Sequence, residues 1–168
     1  YNNASLKQHM RARIEENPRD FQAHLQLGIV LFKEEAFGEA KLSLEEAHNL
    51  LPSYTGYPSP ALVMSQIYEA EDNQEAQLEW LAILLENLQH DYDSAIILAA
   101  AALGQEEYQE AEYYIDRAIQ VHGAMGFTHE VGLAEAHNVV RVVNVADGTN
   151  EILRRTVVHR LLGRDREL

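Results

Sequence analysis

Eight histidines, 27 acidic side chains and no cysteine make up the reactive inventory of this chain of 168 residues. Without cysteine there is no thiolate nucleophile, disulfide or thiolate metal site. His129-Glu130 opens like the zinc-binding helix of a metalloprotease, whose chemistry needs a second histidine one helical turn later on the same face. That position is Leu133, and His137 lies eight residues away, so no metal is expected. Gly123-Ala124-Met125-Gly126 neither follows a strand nor precedes Lys-Ser or Lys-Thr, which excludes a phosphate loop. No Ser, His, Asp arrangement is recognisable by spacing. Asn3-Ala4-Ser5 fits a glycosylation acceptor only as a bare three-residue pattern, without a secretory context. His24 and His48 fall in helical stretches, where packing or solvation is the simpler reading.

The elements that must position any site belong to a soluble chain. It is 46% apolar and 24% charged, and at this length folding removes roughly 70% of the accessible surface. The net charge of −14 repels phosphate backbones and anionic lipid, so nucleic acid is not an expected partner. No apolar run approaches the roughly 20 residues of a membrane span, and no insertion is expected. The chain opens on Tyr1 rather than Met, as a fragment or processed form would. The compartment is not legible, and a soluble, cytoplasmic protein is the expectation. The acidic runs Glu34-Glu35, Glu45-Glu46 and Glu106-Glu107 are read as solvated surface near turns. Residues 1–121 carry 7 basic and 21 acidic side chains, whereas residues 122–168 carry 6 of each. This shift suggests two domains, 1–121 and 122–168.

A period of 34 to 36 residues runs through the first of these. Pro18 and Pro52 share it, as do Ala40, Ala76 and Ala111, then Leu44, Trp80 and Ile115, then Ala47, Ile83 and Ala118. Within each unit two apolar runs at helical spacing flank a short polar turn, which predicts a helical hairpin. Small residues recur at Gly28, Ser65 and Ala99, where antiparallel helices can approach closely. Helices are predicted over about 5–16, 20–34, 38–50, 60–71, 74–89, 92–104 and 108–121. Ser59 is a candidate N-cap with Pro60 in the first turn. Beyond residue 121 the pattern predicts a loop, a helix over about 130–144, a turn at Asp147-Gly148 and a helix capped by Thr149. The fold class is all-α.

The order Leu27, Gly28, Leu31, Phe37, Ala40, Leu44, Ala47, Pro52 resembles the tetratricopeptide repeat, and the resemblance extends over about residues 5–122. It implies a solenoid of about three helical hairpins, capped by a C-terminal helical pair. In the second unit a turn residue is lost, and Gly123 stands where the third would have its closing proline. Proteins of this family hold a peptide or helix on the face formed by the first helix of each hairpin. By register those positions are Gln22, Leu25, Ile29, Phe32 and Lys33, then Ser59, Leu62, Gln66 and Glu69, then Asp93, Ile96, Ala100 and Leu103. They would form an apolar groove for a protein or peptide partner. The competing reading is that their apolar members pack on neighbouring helices.

The tail carries a second resemblance. Arg117-Ala118-Ile119-Gln120-Val121-His122-Gly123-Ala124-Met125-Gly126-Phe127 and Ala146-Asp147-Gly148-Thr149-Asn150-Glu151-Ile152 are similar to two blocks of the acyl-CoA dehydrogenases. The resemblance implies that Gln120 and Gly123 lie against the flavin adenine dinucleotide of a neighbouring subunit. It also implies that Asp147 is the base removing the substrate's α-proton, and that Thr149 and Glu151 approach the flavin. The usual second glycine of the first block is Ala124, and the basic, tyrosine-containing stretch before the second is His137-Asn138-Val139-Val140-Arg141.

Because most of the chain reads as repeats, with no room for the domain that encloses flavin and thioester, the leading expectation is a non-enzymatic scaffold binding a partner in its groove, with no cofactor. The alternative is a piece of a flavin-dependent acyl-CoA dehydrogenase that requires other domains. A further alternative is self-association, with the neutral tail of one copy in the groove of another.

Overall fold

A computed structural model describes residues 3–88, 91–128 and 130–146, and among these every regular element is helical. The chain divides into two compact units, Tyr1–Gln89 and His90–Leu168. The first contains α1 (Asn3–Glu16), α2 (Phe21–Lys33), α3 (Phe37–Leu50), α4 (Pro60–Ala70) and α5 (Gln74–Asn87). The second contains α6 (Tyr92–Gly104), α7 (Tyr108–His122), a 3-10 turn over Gly123–Phe127 and α8 (Leu133–Ala146). The compositional change near His122 falls inside this second unit.

In the first unit each helix packs on the next, and α2 also meets α4. Local chemistry sets the helix starts. Asp20 caps α2, its Oδ1 accepting from the Ala23 amide at 3.0 Å, while Arg13 Nη2 donates to Oδ2 at 2.7 Å. That amide bond is the main cause that lowers the carboxyl's pKa from its ordinary 3.8, with the Arg13 guanidinium adding to it. Ser59 caps α4 by accepting from Leu62 N at 3.2 Å, with Pro60 at the first helical position as expected. Asn73 caps α5 in the same way through Ala76 N.

The core of this unit joins Met10, Ala23, Leu27, Leu31, Ala40, Leu44, Met64 and Ile67. Its tightest point is Gly28, where an added Cβ would stand 2.6 Å from Leu44 Cγ. Recurrent ion pairs span neighbouring helices. Lys7 on α1 pairs with Glu34 at the end of α2, and Lys41 on α3 donates to both Glu71 oxygens at the end of α4. The Glu71 hydrogen bonds raise the pKa of Lys41, whose ammonium also lies over the Tyr68 ring.

Three hairpin turns share one backbone solution. Glu35, Asp72 and Glu106 have φ of 59°, 57° and 61°, and each sits in a polar turn between two helices. After each, an amide returns to the carbonyl five residues back: Ala36 to Leu31 at 3.0 Å, Asn73 to Tyr68 at 2.9 Å, and Glu107 to Ala102 at 2.9 Å. This left-handed closure satisfies carbonyls that the helix end would otherwise leave unpaired.

In the second unit α7 packs on both α6 and α8. Its buried stripe is Ala111, Ile115, Ala118 and Ile119. Gly123 ends the helix with φ 55° and ψ −133°, a conformation that an L side chain resists. The 3-10 turn then folds back on α7, so that a Cβ on Gly126 would lie 2.9 Å from the Ile119 carbonyl oxygen. The helix expected from about residue 130 begins instead at Leu133, because Gly132 at φ 71° breaks the backbone just before it.

Gly28→Ala should lower stability by about 1 to 2 kcal/mol, since overpacking exceeds the gain in helix propensity. Leu44→Ala in the same chain should recover part of that loss, a non-additivity readable by denaturant unfolding of the four variants. Gly126→Ala meets backbone rather than a movable side chain, so no side-chain truncation should rescue it. Replacing Glu35, Asp72 or Glu106 by glycine should raise the unfolding free energy by about 0.5 to 1 kcal/mol each, as left-handed strain is relieved against a looser unfolded chain. A decrease in thermal midpoint would contradict that account.

Candidate functional site

The groove positions scatter across different environments. On α2, Leu25 is 2% exposed and belongs to the core, Ile29 and Phe32 are half-buried against that core, and Gln22 and Lys33 are exposed. On α4, Leu62 is half-buried while Gln66 and Glu69 are exposed, and Ser59 is buried as a cap. On α6, in the other unit, Ile96 is half-buried and Asp93, Ala100 and Leu103 are exposed. The apolar members from α2 are thus spent on packing. A hollow in the first unit lies elsewhere, between Arg11 and Ile14 of α1, His24 and Leu27 of α2, and Leu42 of α3. His24 itself is buried, with Nε2 3.0 Å from the Pro18 carbonyl oxygen, as a packed histidine would be.

The first tail block occupies the end of α7 and its turn. Ala118 and Ile119 face inward, whereas Gln120 is exposed. Gly123, three residues on, has nothing within 4 Å of the Cβ it lacks. An exposed carboxamide therefore stands one helical turn from a glycine whose side-chain position is open. Such a surface can hydrogen-bond a flat polar group and let it approach the main chain. Arg117 is engaged within α7, with Nη2 donating to the Tyr113 hydroxyl at 3.0 Å. His122 stacks edge-on against Tyr92 at 4.3 Å, which joins the block to α6.

Behind the block, Arg141 of α8 pairs with Glu112 of α7, and His137 Nε2 lies 3.9 Å from the same carboxylate. Leu133 and Val140 are the buried side of α8, while Val139 and Val142 are 63% and 67% exposed. Asp147, Thr149 and Glu151 lie outside the described residues, as does His129. Among the described residues no group of His, Asp or Glu side chains is placed to hold a metal ion, and no helix is long and apolar enough to cross a membrane.

A model of the family described as "Acyl-CoA dehydrogenase, C-terminal domain" matches residues 75–162, just over half of the chain. The (R)-benzylsuccinyl-CoA dehydrogenase of Thauera aromatica is 40% identical over 47 residues, which are 28% of this chain and 12% of that protein. The chain thus aligns with only a small share of that relative's length.

These matches correct the functional expectation of a non-enzymatic, partner-binding repeat scaffold. The family match begins at α5, well before Asp116, and takes in helices read as parts of the second and third repeats. Those are the units in which the repeat pattern had lost a turn residue and its closing proline, and that departure is the signal in the sequence for the earlier start. A hairpin period with small residues at the crossings follows from antiparallel helices packing closely, so it does not single out a groove-binding scaffold. The tail resemblance, in contrast, rests mostly on residues that the period does not require, Ala118 being shared by both. This chain belongs to the family of acyl-CoA dehydrogenase C-terminal domains.

Proposed function

We propose that this chain supplies the C-terminal helices of a flavin-dependent acyl-CoA dehydrogenase whose enclosing domains lie outside these 168 residues. The observation that carries the reading is the family match over residues 75–162, within which both sequence blocks fall. We read α1–α5 as a stack of tetratricopeptide-like hairpins in fold only, on the strength of the shared left-handed turns at Glu35 and Asp72 and the close crossing at Gly28.

The described residues fit an edge of a flavin site. Gln120 offers a carboxamide that can donate and accept, and Gly123, whose amide is spent on the Gln120 carbonyl, offers a surface without a side chain that a flat ring could approach. When bound, the flavin would accept the electrons released as the thioester's Cα–Cβ bond is oxidised. Gln120 and Gly123 would hold and orient that ring. Asp147 would take the substrate's α-proton onto a carboxylate oxygen, a task that requires water to be excluded so that its pKa rises. Thr149 and Glu151 would approach the flavin from the same segment. The substrate class is an acyl-CoA thioester.

The test is reconstitution with an acyl-CoA dehydrogenase lacking its own C-terminal helices, followed by flavin absorbance and reduction of an artificial electron acceptor. Thioester-dependent turnover should appear on adding this chain. Asp147→Asn should lower that turnover at least about 100-fold while the flavin content stays the same. Unchanged turnover would remove Asp147 from its role, and failure of the wild-type chain to restore any activity would overturn the proposal.

A further inference from the structure

The face of α7 that carries Gln120 also holds a cation that the proposed chemistry does not use. Tyr113, Arg117 and Gln120 follow one another at spacings of four and three residues, so they form one stripe along the helix. Tyr113 is 50% exposed, Gln120 is exposed and Arg117 between them is half-buried. The tyrosine holds the guanidinium in place: Cζ lies over its ring at 5.0 Å from the centroid, and Nη2 donates to its hydroxyl at 3.0 Å. Ring contact and hydrogen bond together orient the head group before any ligand arrives, so less side-chain entropy is lost on binding.

In this chain 27 acidic side chains stand against 13 Lys and Arg. Arg11, Arg13 and Arg141 are paired with Glu39, Asp20 and Glu112. Arg117 instead meets a phenol, and among the described residues no carboxylate is in ion-pair contact with it. Asp116, its exposed neighbour in sequence, points about 100° away around the helix. One N–H of the guanidinium fork is given to Tyr113, which leaves others for an oxyanion.

We propose that Arg117, held by Tyr113, binds the pyrophosphate of the flavin dinucleotide whose ring Gln120 and Gly123 receive. The inference rests on the dehydrogenase reading and adds a phosphate contact to it. Along the helix axis Arg117 lies about 4.5 Å from Gln120 and about 9 Å from Gly123. In flavin adenine dinucleotide a five-carbon ribityl chain separates ring and pyrophosphate, a spacing of the same order. A guanidinium suits phosphate oxygens because two of its N–H groups can donate in parallel. The net charge of −14 otherwise repels a dinucleotide, so a local cation without a carboxylate partner favours one resting place for its phosphates.

The experiment uses the complex of the full chain with a dehydrogenase lacking its own C-terminal helices, freed of flavin, and measures equilibrium binding by quenching of flavin fluorescence. The dinucleotide is compared with riboflavin, which keeps the ring and the ribityl chain but has no phosphate. Arg117→Gln should weaken the dinucleotide by about tenfold or more and leave riboflavin unchanged. Arg117→Lys, which keeps the charge without the fork, should fall between wild type and Arg117→Gln, and the wild-type affinity should decline more steeply with salt than that of Arg117→Gln. Unchanged dinucleotide affinity in Arg117→Gln would overturn this proposal and leave the dehydrogenase reading standing, whereas no binding by the wild-type complex would overturn both. An equal loss for both flavins would mark a disturbed α7 and refute the phosphate contact. Loss of acyl-CoA affinity with dinucleotide affinity unchanged would assign the cation to the phosphates of coenzyme A, which also overturns the proposal.

Discussion

The distance between antiparallel helices constrains everything else in this molecule. Where α2 crosses α3, Gly28 lies so close to Leu44 that even a methyl group would not fit without movement. The corresponding positions on α4 and α6, Ser65 and Ala99, are small and buried. Close crossings let short helices of 11 to 15 residues bury apolar side chains within each unit, which helices this short need because they are marginal alone. They also fix the turns, because a chain reversing in three residues between closely packed helices adopts a left-handed residue even where it carries Glu or Asp instead of glycine. The ion pairs from Lys7 to Glu34 and from Lys41 to Glu71 then mark adjoining turns of the same stack.

This constraint explains what could be read from the residues and what could not. Helix positions were legible because the apolar period, Ser59 and Pro60 act locally. Gly132 shows the opposite case, since its positive φ delays α8 to Leu133 although the apolar pattern allows an earlier start. Function was harder to read. The period that pointed to a peptide-binding solenoid is produced by the packing rule itself, and Leu25 obeys that rule by lying in the core. The groove assignment treated a packing register as a binding surface. Residues outside the period, above all Gln120 and the block around Asp147, carried the better information.

Within the first tail block, the structure separates residues that the fold requires from one that it does not. Gly126 is required because its backbone rests on the Ile119 carbonyl. Gly123 is required by its backbone angles, although the space around it is open. Ala118 and Ile119 are buried. Each would be kept in any protein that ended a helix in this way. Gln120 differs, because it is exposed on the face opposite the α7 core, where nothing in the packing calls for an amide. Its identity is thus left open by the fold, and Gly123 one turn on leaves the surface beside it sterically accessible.

The place of α5 raises a related question of what joins the family-matched segment to the helices before it. Residues 75–162 match as one stretch, yet α5 packs with α4 in the first unit while α6 to α8 lie in the second. One helix therefore belongs to the dehydrogenase family by sequence and to the N-terminal stack by packing. Its hold on that stack combines apolar burial of Leu81, Leu84 and Leu85 with a polar tie through Asn87 and a ring contact through Trp80. The apolar part carries most of that hold, because α5 lies along α4, whereas it meets the end of α3 through the edge-on rings of Trp80 and His48.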